Sequence, residues 1–240
     1  MPIELNALES ARFGIIAARV IDPGARPEAI EAAALDMRVQ LMTVRIPVSD
    51  LARVHAFEAA GYRLMDTLVY YRRDLDHLPP KWTLPAEISC REAAHEDSGN
   101  VASVARAGFT GYLGHYHADP RLDSAAADAA YVEWAESSTV NASPATPVLV
   151  AETAAKTVGF LTLRQNTPEE MEIVLNAVDP AFQGRGIYGS LVSEALELAK
   201  SRGSSRVITS TQINNYAVQR VWSRLGFCHE QSMYTFHKWF

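Results

Sequence analysis

Residues 171 to 190 constrain the chain more than any other stretch. The β-rich run Met171-Glu-Ile-Val-Leu-Asn-Ala-Val178 passes through Asp179-Pro-Ala-Phe-Gln-Gly-Arg-Gly186 and opens into Ile187-Tyr-Gly-Ser190. A strand that feeds a glycine-rich turn at the start of a helix is the backbone of an anion cradle. Main-chain N–H groups converge there, the helix dipole is positive, and Gly184, Gly186 and Gly189 let a ligand approach the chain closely. A diphosphate is the natural occupant. The spacing is neither that of a dinucleotide fingerprint followed by an acid about 20 residues on nor that of a P-loop with Gly-Lys-Ser/Thr. After the turn, Ile187, Leu191, Ala195, Leu198 and Ala199 repeat at helical spacing, which predicts a helix over 187–202 packed on a sheet and ended by Gly203 in the left-handed region.

Composition narrows the function classes. The 240 residues are 48% hydrophobic, enough to bury a sizeable core, and 22 basic against 28 acidic side chains give a formal charge of −6. That balance argues against a nucleic-acid surface while leaving room for a local basic site. With only Cys90 and Cys228 there is neither a disulfide framework nor metal-ligand spacing, so no metal and a reducing cytoplasm are expected. No basic leader opens the chain and no apolar run reaches the 18 or so residues of a membrane span.

Asp74 to Pro85 carries three prolines and little periodicity, so a linker is expected there, dividing an N-terminal α/β domain (1–80) from a larger one (81–240). In the first, 12–21, 39–46 and 62–72 read as strands, and 27–37 and 50–60 as helices. In the second, strands are expected at 86–91, 148–152, 158–164, 172–178 and 206–211, helices at 96–107, 122–138 and 215–224, a loop through Asp119, and a long final strand. Setting Gly61-Tyr62 on Gly226-Phe227 places Asp50 on Asn215 and Phe57 on Trp222, so both parts share a helix, Gly-aromatic, strand order.

Gln183-Gly-Arg-Gly-Ile187 matches the Gln/Arg-x-x-Gly-x-Gly/Ala signature of the GNAT acetyltransferases, preceded as in that family by Val-Asp-Pro. Asn215-Tyr-Ala-Val-Gln-Arg-Val-Trp-Ser-Arg-Leu-Gly-Phe227 resembles the family's second signature, in the right order. The chain thus resembles a GNAT N-acetyltransferase. The resemblance implies an α/β fold, with a mixed, mostly antiparallel, splayed sheet flanked by helices on both faces. The smaller N-terminal α/β domain then reads as a truncated GNAT-like unit. It further implies that Val178 and the loop of Gln183, Gly184, Arg185, Gly186, Ile187, Tyr188, Gly189 and Ser190 hold acetyl-CoA. Asn215 would bond the pantetheine arm and Arg220 would approach phosphate.

Acetyl transfer from a thioester to an amine needs aligned reactants, an oxyanion donor and a destination for one proton. In the family a strand, here ending Asn176-Ala177-Val178, bulges so that pantetheine pairs along it and a main-chain N–H near Ala177 faces the thioester oxygen. Direct attack in a ternary complex follows. The polar loop Gly111 to Leu122 and the helix carrying Tyr131 and Trp134 resemble the branch that N-acetylates 4-amino-4,6-dideoxyhexoses carried on dTDP, which includes the dTDP-fucosamine acetyltransferases. On that resemblance Tyr112, Tyr116, Arg121 and Asn176 are candidate substrate residues, and His115 and His117 candidate proton acceptors. The plainer reading of that loop is a set of helix-capping and backbone-bonding residues. The partners expected are a nucleotide sugar and a second copy of the chain in a homodimer. Two departures stand out: Tyr188 lies where the family has Gly or Ala, and Trp222 where it usually places the tyrosine that protonates the departing thiolate, so Trp222 reads as a packing residue. Another amine acceptor, or a non-catalytic acetyl-CoA-binding module, remains open.

Overall fold

A computed structural model describes residues 1–240. In chain order the elements are β1 (Ile3–Leu5), α1 (Ala7–Phe13), β2 (Ala17–Val20), α2 (Pro27–Asp36), β3 (Leu41–Pro47), α3 (Leu51–Ala59) and β4 (Arg63–Asp74). Then follow β5 (Ser89–Glu92), α4 (Ser98–Gly108), α5 (His115–Ala118), α6 (Ser124–Val140), β6 (Val148–Glu152), β7 (Thr157–Thr167) and β8 (Glu170–Val178). The last are α7 (Ile187–Ser201), β9 (Arg206–Gln212), α8 (Tyr216–Arg224) and β10 (Cys228–Trp239).

Two expectations need correction. The strand expected at 12–21 is only Ala17–Val20, because a helix precedes it: the Asn6 side chain accepts the Glu9 N–H at 3.2 Å and Gly14, at φ 65°, turns the chain out. The loop expected through Asp119 contains the short helix α5, which puts His115 and His117 on its first turn.

The chain forms two compact units, each discontinuous in sequence. Unit 1 is 1–69, 113–127 and 231–240; unit 2 is 70–112 and 128–230. Unit 1 orders its strands β1-β2-β3-β10, with β2 parallel to β3 and the others antiparallel. Its core gathers Ile30, Met42, Val44, Phe57, Tyr62 and Phe236. Unit 2 orders its strands β4-β9-β8-β7-β6-β5, antiparallel from β5 to β8 and parallel between β8 and β9. One core packs α7 and α8 on the sheet through Ile173, Leu191, Ala195, Val207 and Trp222; another packs α4 and α6 through Val104, Phe109, Tyr131, Phe160 and Leu175. Helices therefore cover both faces.

A β-α-β-α-β order occurs twice, as β2-α2-β3-α3-β4 and as β8-α7-β9-α8-β10. The local geometry repeats with it. α3 and α8 are nine residues each, begin after Asp50 (φ −91°, ψ 69°) and Asn215 (φ −82°, ψ 64°), and are followed by Gly61 and Gly226 at φ 82° and 78°. A strand of 12 residues comes next in both. Asp22 accepts the Gly24 N–H at 2.8 Å as Asp179 accepts that of Ala181 at 2.9 Å, so the turn after the first strand also begins alike. The turns then diverge: Pro23 to Arg26 is shorter than Pro180 to Gly186 and has a single glycine. The last strand of each repeat is divided between the units: Arg63 to Val69 of β4 lie in unit 1 and Tyr70 to Asp74 in unit 2, while β10 enters unit 1 from Gln231. β10 pairs with β3 from Met233 to Trp239, and β4 is the neighbour of β9.

The left-handed turn at Gly61 has open space where a side chain would go. Gly61→Ala is therefore expected to cost about 1 kcal/mol from backbone strain alone, and Gly61→Asn less, because Asn tolerates that region. Urea midpoints of the three proteins check this; equal midpoints contradict it.

Candidate active site

The site in unit 2 begins where two parallel strands part. β8 and β9 are paired from Glu170–Arg206 to Ile173–Thr209 and no further, although both strands run on. The Thr209 hydroxyl donates to the Ile173 carbonyl at 3.2 Å at the last pair. On the other edge of β8, Leu163 opposes Ile173 and Thr162 opposes Leu175, which leaves Val174 unopposed. This bulge lies upstream of the expected 176–178, and the Thr162 hydroxyl fills the gap by accepting the Leu175 N–H at 3.0 Å. Past Val174 the β8 edge turned from β7 has no strand partner. Asn176, Ala177 and Val178 lie on that stretch. α4 comes so close that a Cβ on Gly108 would lie 2.7 Å from that of Ala177.

The turn after β8 is held by its own side chains. Gln183 donates to the Val178 carbonyl at 3.2 Å, and Arg185 folds back so that its guanidinium lies 5.0 Å from the Phe182 ring. Gly184 and Gly186 take φ of 77° and 82°, and no side chain caps α7. The first-turn N–H groups are thus free to meet an anion, and the space around Gly184 is open. These features fit a diphosphate-bearing cofactor. Gly186 and Gly189 have a further reason to be glycine: a Cβ at either would lie 2.8 Å and 2.5 Å from the Trp82 indole. The segment after β4 straps Trp82 there through Ser190 Oγ to its carbonyl (3.1 Å) and its N–H to Ser193 Oγ (3.3 Å). At Gly189, close packing rather than anion approach accounts for the residue.

α8 closes the other side. Asn215 Nδ2 donates to Thr211 Oγ1 at 3.0 Å, and Tyr112 is hydrogen-bonded to the Gln212 side chain. Arg220 is exposed and makes no hydrogen bond or ion pair. Trp222 is fully buried, but it does more than pack: its indole N–H donates to the Tyr188 hydroxyl at 2.8 Å. Tyr188 turns inward from α7 to meet it, so the two departures from the family pattern satisfy one another. Burial pushes the Tyr188 hydroxyl up, against the lowering effect of the Trp222 N–H. The phenol therefore keeps its proton. Cys90 is likewise pushed up, to about 11, by burial and then by Glu194 and Glu152, so it offers no thiolate for a covalent acyl carrier.

Unit 1 holds His115, Tyr116, His117 and Arg121, and unit 2 the aromatic pair on α6. His115 and His237 are buried; His115 Nδ1 lies 2.9 Å from His237 Nε2, and His237 Nδ1 2.8 Å from Asp119 Oδ2. Burial alone would raise the Asp119 carboxyl. Hydrogen bonds from His237, the Trp239 indole and the Arg121 N–H overcome this and hold it at about 2. An ionised Asp119 accepts from His237 Nδ1–H; where His237 Nε2 carries no proton it accepts from His115 Nδ1–H, which leaves His115 Nε2 with a lone pair. Burial, His237 and Arg45 place His115 well below the ordinary histidine value, so it is neutral at pH 7. His117 Nδ1 accepts the Gly114 N–H at 3.4 Å, a backbone role, and Tyr116 donates to Glu9 at 2.8 Å. The Arg121 guanidinium lies 4.1 Å from the Trp239 ring. Of the aromatic pair on α6, Tyr131 is core, stacked on Phe109 at 4.7 Å, whereas Trp134 is 42% exposed. Sequence reasoning missed His237, Trp239 and Trp82, since no local motif surrounds any of them. It singled out Asp119 only as a turn residue.

The Tyr188–Trp222 hydrogen bond predicts a coupling of about 1 kcal/mol between Tyr188→Phe and Trp222→Phe in a double-mutant cycle read by urea unfolding. Additive losses would show that the contact contributes nothing.

Residues 110–227 match the sequence model described as Acetyltransferase (GNAT) family. Spore coat polysaccharide biosynthesis protein SpsD of Bacillus subtilis is 28% identical over 207 residues, covering 82% of this chain and 65% of that protein. A mycothiol acetyltransferase of Corynebacterium glutamicum is 30% identical over 81 residues, 34% of this chain and 28% of that one. The chain thus spans less than two thirds of the length of these curated relatives. Among solved structures, a GCN5-related N-acetyltransferase from Sphaerobacter thermophilus superposes with a TM-score of 0.71 at 16% identity, over 99% of this chain and 76% of that one. A tandem GNAT protein from the clavulanic acid biosynthesis pathway gives 0.63 at 16% identity, over 93% and 75%. With strands that part after Ile173, an uncapped α7 and helices on both faces, the chain has the α/β GNAT fold of N-acetyltransferases.

Proposed function

We propose that the protein is an acetyl-CoA-dependent N-acetyltransferase whose acceptor is the amino group of a dTDP-linked amino-deoxy sugar, with direct transfer in a ternary complex. The observation that carries the transferase reading is the unpartnered β8 edge beside the uncapped start of α7. Support for a sugar acceptor comes from the relative named for spore coat polysaccharide biosynthesis, together with the polar loop of Tyr112 to Arg121.

Acetyl-CoA supplies the acetyl group as an activated thioester. In this reading the N–H groups of Gly186 to Gly189 bind its diphosphate and the β8 edge from Val174 to Val178 aligns its arm. A main-chain N–H near Ala177 stabilises the oxyanion. Tyr188, held by Trp222, donates a hydrogen bond to the departing sulfur, which leaves as a thiolate and takes its proton from solvent. His115 Nε2 accepts the proton of the amine, and the hydrogen bonds through His237 to Asp119 stabilise the resulting charge. Direct attack agrees with a Cys90 thiol that stays protonated.

Incubation with acetyl-CoA and a panel of dTDP- and UDP-amino sugars, peptide amines and polyamines, with mass detection of products, tests the acceptor. Acetylation of a dTDP-amino sugar is expected; acetylation of the peptide or polyamine arms alone refutes it. Gly184→Asp should abolish acetyl-CoA binding by calorimetry while leaving the fold intact, because Asp tolerates the left-handed turn and the added charge repels a diphosphate. His115→Ala should lower kcat/KM for the acceptor about tenfold or more and leave acetyl-CoA affinity unchanged.

A further inference from the structure

Unit 1 contains a pocket of about 210 Å³, distinct in its lining from the glycine turn of unit 2. Its walls come from three segments of the chain: Arg63 at the start of β4, the Asp119–Arg121 turn after α5, and His237 to Trp239 at the end of β10. This is below the ~300 Å³ at the small end of whole-ligand sites, so it takes one end of a ligand rather than all of it.

The electrostatics select the sign of that end. Asp119 is in the lining, but its charge is already met by His237 Nδ1 at 2.8 Å, Trp239 Nε1 at 2.9 Å and the Arg121 N–H at 3.0 Å. Lys238 is also satisfied, by Glu31 Oε1 and the Ala60 carbonyl at 2.6 Å each. Arg63 and Arg121 are different. Both are exposed and neither guanidinium has a carboxylate or carbonyl partner. Arg121 lines the pocket and is oriented by its contact with the Trp239 ring, its guanidinium carbon 4.1 Å from the ring centre. In a protein of formal charge −6, two guanidiniums without carboxylate partners lining one pocket, beside a carboxylate whose charge is already met, favour an anion there. Their fork geometry suits phosphate oxygens.

We propose that this pocket is a diphosphate-binding site gripped by Arg63 and Arg121. On the sugar-nucleotide reading above, on which this assignment rests, the diphosphate is that of the acceptor. The nucleotide and the acetyl donor then have separate anion sites, one built from side chains in unit 1 and one from backbone in unit 2.

Calorimetry with dTDP, inorganic pyrophosphate and thymidine on the full chain tests the assignment, with acetyl-CoA titrated in parallel. Binding of dTDP and pyrophosphate but not thymidine is expected. Arg63→Ala and Arg121→Ala should each raise the dTDP Kd about tenfold, the double variant more, and the Lys versions should recover part of the loss, while the acetyl-CoA Kd stays within twofold. The KM for a dTDP-amino sugar should rise with kcat little changed. An unchanged dTDP Kd in a folded double variant overturns the pocket, as does thymidine binding as tightly as dTDP. If a dTDP-amino sugar is acetylated with unaltered KM by that variant, the pocket fails and the acceptor reading survives. If dTDP binding depends on both arginines yet no nucleotide sugar is acetylated, the pocket stands and the acceptor reading fails.

Discussion

The end of hydrogen bonding between β8 and β9 at the Ile173–Thr209 pair organises everything else in unit 2. Parallel strands that stay paired would bury the very edge on which an extended ligand can lie. Here Val174 bulges on one side, the Thr209 hydroxyl ties off the last carbonyl on the other, and the strands separate. Each strand then leads into a helix, so the start of α7 and the start of α8 are carried to the two sides of the gap. Gly108 lets α4 approach against Ala177, which stiffens the free edge from the opposite face.

Rigidity near this gap comes from side chains that a motif search treats as exceptions. A tyrosine where the loop signature prefers a small residue looks like an obstruction, and a tryptophan in place of a tyrosine looks like a lost acid. Together they form one hydrogen bond between α7 and α8. The indole supplies a donor to the phenol oxygen, and burial keeps the phenol protonated. The phenol thus keeps its proton beside α8, on a side chain that reaches there from the neighbouring helix.

Much of this was legible in the sequence, for local reasons. Asp50, Asn215, Gly61 and Gly226 mark helix ends through interactions within a few residues, and α7 advertises its buried face by spacing. The glycine turn is equally local. What the sequence hid depends on distant partners. His237 meets Asp119 across 118 positions, and Trp82 explains Gly189 across a strap with no periodicity. α1 was lost for another reason: seven residues hold barely two turns, too few to show a helical repeat against the apolar run that follows. A division of the sequence near residue 80 also passes over the return of β10 to unit 1, because pairing partners are invisible to composition.

That return has a consequence for how the protein is made. Unit 1 obtains the strand paired with β3 only from residues 231 onward, so on the ribosome its sheet stays open at β3 until those residues have been translated. An exposed strand edge invites mispairing, and the longest-range contacts form last. A nascent chain therefore leaves that edge of β3 unprotected from the synthesis of Pro47 until Met233 has been made. Association through that edge is the physical cost of completing the strands of unit 1 with the last strand of the second repeat.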